Sequence, residues 1–201
     1  MEVANQRGAT VFSAPRGRAR QMNAGAMVAT GYFLLFLHGD TRLPKDYDRS
    51  IRQILTNNSV AAGAFRLGID DDRWSLSLIE NLANWRSTQL KLPYGDQGIF
   101  VRKDRFIKLG GFPELPLLED VELVRLLAKE GDIIIAPGTV VTSARRWQGL
   151  GILSTTIINQ LILLGYWLGV SPNRLARLYY NPIWTSKREF PKSDRKFERS
   201  R

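Results

Sequence analysis

The residues in this chain best suited to chemistry are acids set into loops. In Tyr32 to Pro44, which reads YFLLFLHGDTRLP, an apolar run ends abruptly at His38, Gly39, Asp40 and Thr41. A carboxylate placed like Asp40, just past the carboxyl end of a strand, can hold a hard divalent cation, with nucleotide phosphate oxygens as further ligands. Asp40 and Thr41 equally suit an Asx-type turn that holds nothing. Further along, Asp70, Asp71 and Asp72 stand in a row, Asp96 and Gln97 sit in a loop made by Pro93, Gly95 and Gly98, and Glu119 and Asp120 precede an apolar-periodic stretch. The three adjacent acids suit a metal site or, more simply, the capped start of a helix. There is no cysteine, and His38 is the single histidine. A disulfide framework, a thiolate site and a multi-histidine zinc centre are thereby excluded, which leaves oxygen-bound magnesium or manganese as the metal to expect.

The elements that must position these residues follow from periodicity. Tyr32 to Leu37 is uncharged and without helical period, as expected of a strand buried on both faces in a parallel sheet. ATVF near Gly8 to Phe12 reads as a short strand, RARQMNAGAMVA up to Ala29 as a helix with Gly31 at its carboxyl end, and Pro44 to Asn57 as a further helix with Ile51, Ile54 and Leu55 inward. VAAGAFRL, Val60 to Leu67, reads as a strand, and Arg73 to Gln89 as a helix whose core face is Leu78, Ile79, Leu82 and Trp85. Ile99 to Val101 is expected to be a strand and Val121 to Glu130 a helix. Ile133 to Ala136 and Val140 to Thr142 are expected as two strands around a Pro137-Gly138 turn. Leu150 to Val170 is mostly apolar and near membrane-spanning length, yet Ser154, Thr155, Thr156, Asn159 and Gln160 interrupt it, which favours an amphipathic or core-packing helix.

With 201 residues, 44% hydrophobic and 24% charged, the chain is globular, long enough for one well-cored domain and short for two. Its net charge of +10 calls for an anionic partner: phosphate-bearing substrate, acidic lipid or nucleic acid. The charge gathers at Arg16, Arg18 and Arg20, at Arg145 and Arg146, and in a tail from Lys187 to Arg201. Aromatic residues are not interleaved with these arginines, so nucleic acid is not the expected partner. Met1 to Arg20 has no apolar core of a secretory signal.

Five stretches together, GRARQMNAGA, LLFLHGDT, YGDQGIFVRKDRFIKLGGFP, LLEDVEL and SARRW, resemble in order the motifs of family 2 (GT-A fold) inverting glycosyltransferases, in the bacterial branch whose metal motif is HxDT. The resemblance runs from about Gly17 to about Tyr180. It implies a GT-A-like, Rossmann-like α/β fold, a mostly parallel sheet with flanking helices, over residues 1–148. A helical segment packed on the domain or the membrane surface would occupy 149–180, and a basic tail 181–201. It implies transfer of a sugar from a UDP- or GDP-sugar to an acceptor hydroxyl, a lipid among the candidates, with Mg2+ or Mn2+ as cofactor. Asp40 matches the metal-holding aspartate, and His38 stands where most relatives carry the motif's first acid. Asp120, beside Glu119, matches the general base. Asp96 and Gln97 match the acceptor-side loop, to which Trp147 is added. Arg145 and Arg146 match the arginines beside the diphosphate, and Arg18 and Asn23 fall in the segment lining the donor nucleotide. Relatives begin with a strand, a helix and a second strand ending in an acidic loop. Nothing in Met1 to Phe12 matches these, so the fold is expected to be truncated at its amino end, with an exposed sheet edge that favours self-association. The chain is then either an active enzyme or a catalytically inactive or split fragment of one that needs a partner. The resemblance places the protein in the cytoplasm or peripherally on the inner face of the membrane.

Overall fold

The computed structural model describes residues 2–180; the basic tail lies outside them, as do the side chains of Arg146 and Leu150. The chain divides into two units, Met1–Ala144 and Arg145–Arg201.

The first unit is α/β, with helices α1 (Glu2–Gln6), α2 (Arg18–Val28), α3 (Tyr47–Leu55), α4 (Trp74–Gln89), α5 (Lys103–Lys108) and α6 (Glu119–Leu127) around strands β1 (Phe33–Phe36), β2 (Thr41–Arg42), β3 (Val60–Asp70), β4 (Ile99–Arg102) and β5 (Asp132–Ser143). The strands form one sheet in the order β1-β4-β3-β5-β2. Only β3 and β5 run parallel; the other pairings are antiparallel, so the sheet is mixed rather than mostly parallel. The expected strand near Gly8 to Phe12 is absent, and α1 precedes that stretch instead. The expected pair of strands around Pro137-Gly138 is one continuous β5. Its extra residues bulge between Ile135, opposite Ala64, and Thr139, opposite Arg66.

β1 departs from expectation in a way that matters for the edge. It pairs with β4 alone among the described strands, only Leu34 is buried, and Tyr32 is 89% exposed. A continuous apolar run cannot tell an edge strand from a central one by itself, and here it forms an edge. Gly31 does not cap α2, whose chain leaves the helix through an extended Ala29.

The core lies on both faces of the sheet, as the alternation along β4 dictates. Val101 joins Leu34, Phe106, Phe112, Leu123 and Leu127 beneath α2, α5 and α6. Phe100 joins Ile51, Leu55, Phe65 and Val140 beneath α3. Gly63 makes room for this: a Cβ there would stand 2.4 Å from the Phe100 ring.

α4 packs the opposite way round from its expected apolar face. Leu78, Leu82 and Trp85 are exposed, whereas Leu76, Ala83, Asn84 and Ser87 are buried. The reason is the backbone of β3. β4 covers β3 only at Ala62 and Gly63. Beyond them, every second residue still offers peptide groups on that side, which need partners. Side chains supply them. The Asn84 amide accepts from the Leu67 N–H at 2.8 Å and donates to its carbonyl at 2.9 Å. Glu80 accepts from the Ile69 N–H. Gln97 donates to the Phe65 carbonyl at 2.9 Å and to Ser87 Oγ at 3.1 Å. The polar stripe of α4 thus takes the place of a missing strand, which leaves its apolar stripe outward.

The acids Asp70 and Asp71 serve the sheet and the helix entry. Asp70 pairs with Arg42 at 3.0 Å, and Asp71 accepts from the Arg73 N–H at 3.1 Å and from its guanidinium.

In the second unit, the helix expected from Leu150 to Val170 is α8 (Ile152–Trp167), with α7 (Arg145–Leu150) before it and α9 (Pro172–Tyr179) after it. Gly151, at φ +83°, makes the break. Gly165 lets α9 approach α8, since a Cβ there would meet Leu175 at 2.9 Å. Leu153, Ile157, Leu161, Leu164 and Leu168 leave an exposed apolar row on α8 and its cap. Among the described residues, no helix is long and apolar enough to cross a membrane.

Candidate functional site

Separate elements of the first unit bring charged groups to one place. Arg18 is the first residue of α2, and its side chain is half-exposed. It donates to His38 Nε2 at 2.7 Å, and its Nε lies 3.1 Å from Glu119 Oε1. His38 follows β1, where its carbonyl accepts from the Thr41 N–H in a tight turn. Glu119 opens α6 behind Leu118, a residue at φ +65° that turns the chain into the helix. The next residue, Asp120, accepts from the Gly95 N–H at 2.7 Å and from the Val121 N–H at 2.9 Å. Gly95 begins a 3-10 turn, Gly95–Gln97, and its lack of a side chain is needed. A Cβ at Gly95 would stand 2.8 Å from Asp120 Oδ2 and 3.3 Å from the Arg18 guanidinium.

The electrostatics of this cluster are strained in a consistent direction. Burial pushes the Glu119 carboxyl above the ordinary glutamate range, against the opposing pull of Arg18 and with Asp120 adding to the rise. Its Oε1 is close to Arg18 but has no hydrogen-bond donor aligned on it. Burial likewise raises Asp96, opposed by Arg86 and reinforced by Asp120, and Asp96 Oδ1 is buried without a hydrogen-bond partner. His38 is pushed below the usual histidine range by burial and then by Arg18. Accepting from Arg18 through Nε2 places the ring proton on Nδ1 of a neutral imidazole. Perturbed acids beside a guanidinium and a neutral imidazole are what a site handling anions and protons requires.

Asp40 stands at the rim, exposed, with its carbonyl accepting from the Ser143 N–H at 3.2 Å and its neighbour Thr41 bonded to Thr142 at 3.1 Å. The turn is therefore fixed to β5. Among the described residues, no group of three or more His, Cys, Asp or Glu side chains converges on a metal position. Asp40 fits a divalent cation as the one protein ligand to an ion whose other ligands are phosphate oxygens and water, which is how magnesium is commonly held.

Other residues singled out in the sequence serve different ends. Asn23 spends both ends of its amide on Phe112, donating to its carbonyl at 2.8 Å and accepting from its N–H at 2.9 Å, and so ties α2 to the Gly110-Gly111 loop. Gln97 is fully buried, holding β3 and Ser87 as described and accepting from Arg86 at 3.2 Å and from the Tyr94 N–H at 3.3 Å. It fixes the turn that carries Asp96. Arg145, Arg146 and Trp147 open α7 in the second unit. Arg86 and Tyr94 were not foreseen. The Arg86 guanidinium lies 3.4 Å over the Tyr94 ring and donates to the Leu92 carbonyl at 3.0 Å, bracing the same loop. Nothing in their spacing distinguishes them in the sequence. Compared with known proteins, the chain matches no family model, and no curated protein matches it significantly.

Proposed function

We propose that the chain is a glycosyltransferase that takes a sugar from a nucleoside-diphosphate donor, UDP- or GDP-linked, and passes it to an acceptor hydroxyl with inversion. The observation that carries this reading is the convergence of Arg18, His38, Glu119 and the Gly95–Asp120 pair, with Asp40 at the rim. Asp120, hydrogen-bonded but not enclosed, takes the proton from the attacking hydroxyl. The hydroxyl oxygen bonds to the anomeric carbon as the bond from that carbon to the phosphate oxygen breaks, and the diphosphate leaves with the electron pair. Arg18 offsets the charge that develops on it. Asp40 would hold a magnesium or manganese ion, which would supply further neutralisation of that charge. Neutral His38 keeps Arg18 aimed while adding no charge of its own. Asp96, in the turn that begins at Gly95, would meet the acceptor. The apolar row of α8 is proposed to rest on the inner face of the membrane.

Calorimetric titration with UDP and with GDP, each with and without manganese, tests the reading. Metal-dependent binding that disappears in Asp40→Ala is expected. Absence of binding to either nucleotide under both conditions overturns donor binding by the chain alone. The open edge of β1 favours one second reading, in which the donor site completes only when a further strand pairs with β1. In that case binding appears when that strand is supplied by a separate polypeptide.

A further inference from the structure

The outward face of α4 is a large apolar surface with no charge on it. Trp74 is 80% exposed, Leu78 52%, Leu82 58% and Trp85 59%, and the residues between them on that face are Ser77, Asn81, Thr88 and Gln89. We infer that this face is the interface of a twofold dimer in which α4 of one copy lies antiparallel to α4 of a second.

The first support is the symmetry of the pattern. Tryptophan, leucine, leucine and tryptophan follow one another as Trp74, Leu78, Leu82 and Trp85. Reversing the helix about its middle sets Leu78 against the second copy's Leu82 and Trp74 against its Trp85. A twofold interface requires such self-complementarity, because both copies present the same patch. The second support is charge. Of the acids before α4, Asp70 is paired with Arg42 and Asp71 with Arg73, which leaves Asp72 to face outward charge, and Lys91 follows the helix. Antiparallel pairing brings the acidic end of each helix to the basic end of the other and opposes their macrodipoles. A chain of net charge +10 meets its copy with least repulsion through an uncharged patch. The third is size. The four apolar side chains offer roughly 500 Å², and with the polar residues beside them the face approaches the ~800 Å² per partner of a standard interface, with the aromatic enrichment typical of interface centres. A lipid surface suits it less well. Interfacial helices are rich in lysine and arginine on their polar face, whereas here Arg73 is paired with Asp71 and Arg86 is spent on Tyr94 and the Leu92 carbonyl.

The inference is independent of the proposed reaction. Sedimentation equilibrium of the full chain tests it, with a dimer expected. Leu82→Arg should raise the dissociation constant at least about 100-fold, as for a central apolar anchor, while its melting temperature shows the fold intact. Asp72→Lys should weaken the dimer, and combining it with Lys91→Asp should restore it. Because the protein has no cysteine, orientation is read directly. Oxidised Asn81→Cys, near the middle of the face, should cross-link copies, whereas Thr88→Cys, near its end, should not. A wild-type chain that stays monomeric to about 100 µM overturns the inference, as does a Leu82→Arg variant that remains dimeric. Equal cross-linking through both cysteines overturns the antiparallel arrangement. A monomer that instead binds phosphatidylglycerol vesicles through Trp74 and Trp85 assigns the face to a bilayer and overturns the dimer.

Discussion

Glu119 is 2% exposed, and its one cationic partner among the described residues, Arg18, is half in water. A buried carboxylate so incompletely compensated should cost stability, and replacing it by an amide of the same shape should recover some. The sign follows from its raised folded-state pKa. The native state holds this proton more readily than the unfolded chain. Its contribution is therefore fully present below the ordinary glutamate range and is lost as pH rises through the raised pKa. Glu119→Gln does not titrate, so it should match the wild type near pH 4 and gain on it as pH rises. At pH 7 we expect about 1–2 kcal/mol, or roughly 2–8 °C in melting temperature for a chain of this size. Arg18→Met removes the opposing charge and should cost about 2 kcal/mol at pH 7, an amount reduced by Arg18's exposure. In the Glu119→Gln background, Arg18→Met should cost less, the remaining loss being its hydrogen bond to His38. Melting curves by circular dichroism from pH 4 to 8 read all four proteins. A Glu119→Gln variant that melts below wild type at pH 7 would refute the reasoning, because it would make the Arg18 ion pair a net source of stability.

Two further substitutions probe the site and its support. Gly95→Ala places a methyl group 2.8 Å from Asp120 Oδ2, so it should break the Gly95–Asp120 hydrogen bond and lower nucleotide binding at least about tenfold in calorimetry, with the chain still folded. Asn84→Ala strips partners from both peptide groups of Leu67 and should cost about 2–4 kcal/mol in urea unfolding; a cost under ~1 kcal/mol would mean that water replaces the amide there.

Much of this fold was legible from periodicity, and its failures have identifiable causes. α6 is formed with Val121, Leu123, Val124 and Leu127 inward, as expected, because one apolar stripe faced one polar stripe. α4 has two stripes of comparable regularity, and periodicity separates faces without saying which is inward. The polar one turned inward because β3 needs hydrogen-bond partners, a demand created by strands distant in sequence. β1 was read as central because its apolar run carries no sign of its neighbours. At the site, the loops holding His38, Asp96 and Asp120 could be located from turn residues. The joining of Arg18 to both His38 and Glu119, far apart in the chain, was not legible, since only the folded sheet brings them together.

The replacement of a strand by a helix on β3 has a geometric limit that bears on the site. Between Glu80 and Asn84 the helix advances about 6 Å, close to the ~6.7 Å between Ile69 and Leu67 on the strand. Between Asn84 and Ser87 it advances only about 4.5 Å while the strand again moves ~6.7 Å. The two scales run like a vernier, and by Phe65 the helix has fallen nearly 3 Å behind, about one hydrogen-bond length. Gln97 fills that interval, bonded to Phe65 on one side and Ser87 on the other. The position of the turn carrying Gly95 and Asp96 is thus set by where helix and strand lose step, and a residue inserted between Asn84 and Ser87 would rotate Ser87 by about 100° about the helix axis, away from Gln97.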